Sequence, residues 1–109
     1  MLGRKHRLPK FVNFKGGRAI FFQAFTIKTK DNNLEFPRFT IIVSKKIDKK
    51  AVGRNKIKRQ IRSFIKNLLA DIKKGKDVLI IVKRDIRELP SGKISLMLSN
   101  AFTKAGLIK

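Results

Sequence analysis

The chain has 109 residues, of which 28 are lysine or arginine and 7 are aspartate or glutamate, for a formal net charge of +21. Its 42% hydrophobic content supports a packed core in one domain, residues 1–109, and argues against disorder along the whole chain. The lack of cysteine and the single histidine exclude disulfide scaffolds, thiol nucleophiles and thiolate zinc sites, and the one-sided charge calls for a polyanionic partner, nucleic acid ahead of an anionic membrane.

Residues 1–10 carry Arg4, Lys5, His6, Arg7 and Lys10 with few apolar neighbours, which predicts a mobile basic arm. No apolar h-region follows it, and the longest uninterrupted apolar run, residues 78–82, is far short of the roughly 20 residues that span a bilayer. A cytoplasmic protein without membrane contacts is therefore expected.

Residues 19–28 (AIFFQAFTIK) are rich in aromatic and β-branched side chains and read as a strand. Strict alternation places Phe21 and Phe25 on one face and Ile20, Phe22 and Ala24 on the other, without saying which face is the core. The turn chemistry of Asp31, Asn32 and Asn33 leads towards a second strand, residues 38–44, and the two together predict a β-hairpin.

From about residue 51 to 74 the period changes. Ile57, Ile61, Phe64, Ile65, Leu68, Leu69 and Ile72 recur at three- and four-residue spacing, which predicts an amphipathic helix stopped by Gly75. Residues 77–83 (DVLIIVK) read as a buried central strand whose continuous apolar run implies cover on both faces. Ser91 offers an N-cap for a last helix that carries Ile94, Met97, Leu98, Ala101, Phe102 and Ala105 and ends at Gly106. The element order predicts an α/β (α+β) two-layer sandwich, a single sheet with packed helices.

The segment 45–62 (KKIDKKAVGRNKIKRQIR) holds nine lysines and arginines against one carboxylate, Asp48. On the predicted helix Arg54, Lys58 and Arg62 follow at four-residue spacing while Ile57 and Ile61 face the core. Like charges at that spacing repel, so the face makes sense when phosphates occupy it; a merely solvated face is the alternative. The seven carboxylates are scattered singly, which gives a self-sufficient nuclease no metal cluster, and His6 suits a structural or phosphate-contacting role better than catalysis.

VSKK followed by KKAVGRNKIKRQIR resembles the signature of the bacterial ribonuclease P protein family, an Arg-Asn-Arg-type motif in an A-V-x-R-N-x-x-K-R frame. Ala51, Val52, Arg54, Asn55, Lys58 and Arg59 match it, and Lys56 stands at the third motif position, keeping the charge without the fork. Weaker similarity covers most of the chain: Arg7-Leu8, Phe14-Lys15 before Gly16-Gly17, and a closing Phe102, Lys104 and Ala105. Two departures are residues 47–50, one longer than usual and lacking the customary glycine, and a shortened first helix around Pro9.

The resemblance implies a left-handed βαβ crossover, against the general rule, and a subunit of an endoribonuclease holoenzyme for tRNA 5′ maturation whose catalytic centre lies in the RNA. It implies that Lys45, Lys46, Arg54, Asn55, Lys56, Lys58, Arg59 and Arg62 bind the ribonuclease P RNA. It also implies that the 5′ leader of precursor tRNA lies in a cleft on the sheet near Phe14, Phe22 and Phe25, which alternate in face and cannot all point inward. Mg2+ would be held mainly by RNA and substrate, with no small-molecule substrate. A small ribosomal protein is the competing reading, and a DNA-binding architectural protein a weaker one.

Overall fold

The aromatic run that reads as one strand folds back on itself. In the computed structural model, which describes residues 17–22 and 24–108, β1 (Arg18–Phe21) and β2 (Phe25–Asp31) form an antiparallel pair with Phe21 opposite Thr26 and Ile20 opposite Ile27. The Phe22 N–H donates to the Phe25 carbonyl at 2.8 Å and closes the turn. The basic arm, the first helix and Phe14 lie outside the described residues.

The hairpin turn is therefore inside residues 19–28, and β3 (Arg38–Val43) does not pair with β2 as the sequence suggests. β4 (Lys76–Val82) inserts between them, antiparallel to β2 and parallel to β3, for a sheet order β1-β2-β4-β3. The physical reason is burial. The apolar run Val78, Leu79, Ile80, Ile81 and Val82, mostly β-branched, gains most from a central position, where strands on both sides shield its backbone. Asn32 still turns the chain, its Oδ1 accepting from the Leu34 N–H at 2.8 Å, but its Nδ2 donates to Asp77 Oδ1 at 2.8 Å and so ties the β2–β3 connection to β4.

Asp77, only 3% exposed, also accepts a fork from Arg38, Nε to Oδ1 and Nη2 to Oδ2, both at 2.8 Å. That pairing answers the desolvation of the carboxylate and raises the Arg38 pKa above its ordinary value.

The connection from β3 to β4 runs through α1 (Ala51–Leu68), whose Gly53, Ile57, Ile61 and Ile65 face inward at four-residue spacing. Each fully buried isoleucine contributes about 1.5 to 3 kcal/mol of hydrophobic burial. The helix stops earlier than its apolar period suggests: the chain tightens into a 3-10 turn, Leu69–Asp71, and Ile72 is extended and buried. Gly75, at φ +75°, serves the turn into β4. α2 (Ser91–Lys104) begins one residue earlier than Ser91 as cap requires, with Pro90 in the N-cap position. It ends in a Schellman motif in which the Leu107 N–H reaches the Phe102 carbonyl at 2.9 Å and the Gly106 N–H reaches Thr103 at 3.1 Å, Gly106 taking φ +75°.

Phe25 and Ile27, Phe39, Ile41 and Val43, and Val78, Ile80 and Val82 form one core with the inner faces of α1 and α2. The opposite sheet face carries the row Phe21, Thr26, Ile81 and Ile42 and the row Ala19, Lys28, Leu79 and Thr40. Among the described residues no helix packs on it, so the expected cover on the second face of β4 lies outside what those residues describe.

Candidate nucleic-acid interface

The strand register brings the basic segments to one end of the sheet. β3 and β4 run parallel with Val43 opposite Val82, and β2 starts opposite the same residue, with Phe25 against Val82. The carboxyl ends of β3 and β4, the β1–β2 turn and the amino end of α1 therefore converge, and the Lys83 N–H donates to the Ala24 carbonyl at 2.8 Å across them. Lys45, Lys46, Lys49, Lys50, Lys83 and Arg84 stand exposed there. The pairs Arg38–Asp77 and Lys76–Asp31 lie at the far end.

The amino end of α1 sharpens this asymmetry. Its N-cap, Lys50, makes no side-chain cap bond, and no acidic residue occupies the first turn, so nothing on the helix itself offsets the positive end of the dipole. On α1 Asn55 and Arg59 are exposed opposite the isoleucine stripe and Lys56 is exposed beside it, while Arg54, Lys58 and Arg62 are half-buried on its flank. The structure thus carries the eight residues that the family resemblance assigns to RNA on α1 and the loop before it, five of them exposed and three half-buried.

It also gives one of them a second task. Arg54 Nη1 donates to the carbonyls of Asp48 at 3.0 Å and Lys49 at 2.8 Å, bracing the crossover loop.

The carboxylates at this end are engaged by Arg87. Its Nη2 lies 3.0 Å from Asp48 Oδ2 and 2.7 Å from Asp85 Oδ2, and its Nε donates to Asp85 Oδ1 at 2.9 Å. The backbone N–H of Lys50, followed by Arg87, holds the Asp48 carboxyl below the ordinary carboxylate value; Arg87 does the same for Asp85. The two carboxylates in turn keep the Arg87 guanidinium firmly protonated. Among the described residues no three carboxylate or histidine groups meet in a way that could hold a metal ion, so this donor set does not fit a magnesium site.

The phenylalanines divide differently from expectation. Phe25, 1% exposed, is a core residue and cannot offer its ring to a base, and Phe22 is half-buried against the core on the helix side. Among the described residues the exposed ring is Phe21, at 72%, with Lys83 Nζ 5.7 Å from its centroid on the face that also bears Ile42. Alternation counted straight through residues 19–28 puts Phe21 and Phe25 together; the turn at 22–25 reverses that relation, and Gln23-Ala24 is a weak turn signal.

The Ribonuclease P family model matches residues 3–106. The ribonuclease P protein component of Syntrophus aciditrophicus is 35% identical over 91 residues, covering 84% of this chain and 76% of that protein. That of Bacillus cereus (strain Q1) is 34% identical, covering 95% and 94%. The solved Staphylococcus aureus RNase P protein superposes with a TM-score of 0.83 at 29% identity, over 95% of this chain and 98% of that one. Superposition preserves hand, so the β3–α1–β4 crossover winds as it does in that structure. The ribosomal alternative draws no support from these matches.

Proposed function

The chain belongs to the ribonuclease P protein family and is the protein subunit of that tRNA-processing ribonucleoprotein, and from this premise we propose how its surfaces are divided between the catalytic RNA and the substrate. The cationic end, built from Lys45, Lys46 and the α1 residues Arg54, Asn55, Lys56, Lys58, Arg59 and Arg62, binds the ribonuclease P RNA. The observation that carries this reading is a helix seated on Ile57, Ile61 and Ile65 which, with its preceding loop, holds nine cations and one carboxylate over residues 45–62, the carboxylate itself engaged by Arg87.

The second surface is the sheet face away from the helices, which we assign to the single-stranded 5′ leader of precursor tRNA. Single strands are held by stacking on aromatic side chains beside a basic track. Phe21 supplies the ring, Lys83 and Lys28 the charge, and Ile42 and Ile81 an apolar floor. Phe21 thus takes the place that sequence reading gave to Phe22 and Phe25. The cleavage chemistry belongs to magnesium held by the RNA and the substrate, and the assembly works in the cytoplasm.

The test is cleavage of a leader-bearing precursor tRNA by a bacterial ribonuclease P RNA at low magnesium, with and without this protein. Protein-dependent release of the leader, with none by protein alone, is expected. Equal cleavage with and without the protein would overturn the proposal.

A further inference from the structure

The crossover loop contains the single negative charge of the segment 45–62, Asp48, next to the residues assigned above to RNA. Left free, that carboxylate would face the same phosphates as its lysine neighbours. Its surroundings hold it otherwise. Asp48 Oδ1 accepts from the Lys50 N–H at 2.9 Å, Oδ2 meets Arg87 Nη2 at 3.0 Å, and its side chain is 20% exposed.

The helix makes room for this contact. A Cβ on Gly53 would sit 1.8 Å from Asp48 Oδ2 and 2.9 Å from Arg87 Nη1, so α1 lacks a side chain where the pair lies against it. Arg87 is itself seated by Asp85, whose Oδ1 also accepts the Arg87 backbone N–H at 3.0 Å in the 3-10 turn after β4.

We propose that Arg87 is a positioning residue for RNA-subunit binding: it draws the Asp48 carboxylate inward, away from the RNA, and keeps the crossover loop cationic. The inference rests on the assignment of α1 and its preceding loop to the RNA subunit. Arg87 with Asp48 and Asp85 carries one net negative charge. Removing Arg87 leaves two, one of them released into the loop. Cancelling one effective phosphate contact, with log affinity falling by about 0.9 per contact per log unit of salt, costs about five-fold at roughly 0.15 M salt.

The experiment measures the dissociation constant of the full chain for ribonuclease P RNA as a function of salt. Arg87→Ala is expected to weaken binding about five-fold and to lower the salt slope by about one contact. Adding Asp48→Asn restores the original net charge and should bring affinity back to within about two-fold, and Arg87→Lys, which keeps the charge, should stay equally close.

An unchanged constant for Arg87→Ala overturns the inference. So does a loss that Asp48→Asn fails to repair, because that pattern belongs to direct RNA contact by Arg87 or to collapse of the loop. Arg59→Ala separates the two levels: if it also leaves binding unchanged, the assignment of α1 has failed, whereas a loss at Arg59 alone removes only the role of Arg87.

Discussion

Replacing Gly53 with alanine puts two physical effects in opposition. In a helix, alanine is favoured over glycine by up to about 1 kcal/mol, and less so in the first turn. Residue 53 is the third residue of α1, so propensity alone predicts a more stable protein. The structure predicts the reverse, because the new Cβ would lie 1.8 Å from Asp48 Oδ2 and 2.6 Å from Asp48 Cγ. The carboxylate has to leave, giving up Arg87 and its bond to the Lys50 N–H. Overpacking of this kind costs roughly 1 to 3 kcal/mol, so Gly53→Ala should be destabilising by about 1 kcal/mol net. For a chain of this size that is a fall in Tm of about 4 to 8 °C.

Asp48→Ala clears the space, and in that background Gly53→Ala should become neutral or stabilising by up to about 1 kcal/mol. Urea titrations of the four proteins of the cycle measure the coupling. A Gly53→Ala protein more stable than its parent, or a cycle with no coupling, would refute the packing of Asp48 against the helix.

Further outcomes follow from the same geometry. Lys56→Ala and Arg59→Ala should each weaken ribonuclease P RNA binding across all salt concentrations and reduce the salt slope by about one, read by filter binding. Phe21→Ala should cost about 1 to 3 kcal/mol in affinity for a precursor with a 5′ leader and nothing for one without, whereas Phe25→Ala should lose about 3 to 5 kcal/mol of folding stability instead. Asp48 and Asp85 both have carboxyls held below their unfolded values, so their stabilisation is present above the unfolded pKa and is lost as pH falls through the folded one. Thermal melts should therefore show stability declining below about pH 4, and Asp85→Asn should flatten that decline.

The helix α1 was legible because its evidence is local. Ile57, Ile61 and Ile65 repeat at the helical period, and the charges of the outer face sit between them, so a window of the chain contains both the core face and the cationic face. Six of the eight residues that the family resemblance assigns to RNA lie in the same window. The central place of β4 was legible too, from the apolar run of residues 78–82. The candidate leader surface was not, because alternation is a local rule that a turn resets: once Phe22 and Phe25 close the hairpin, Phe21 and Phe25 go to opposite faces.

What the sequence by itself determined is therefore the charge of +21, the helix that presents much of it, the strands β3 and β4 and the family motif at residues 51–59. Tertiary structure alone decided that β4 enters between β2 and β3, that Phe21 is the exposed ring among the described residues, that Arg54 braces the loop, and that Arg87 turns Asp48 inward. The distinction is physical. Periodicity and charge are properties of neighbouring residues, whereas strand order and ion pairing join residues as far apart as Asp48 and Arg87 and are selected by which arrangement buries the most apolar surface while leaving each buried charge with a partner.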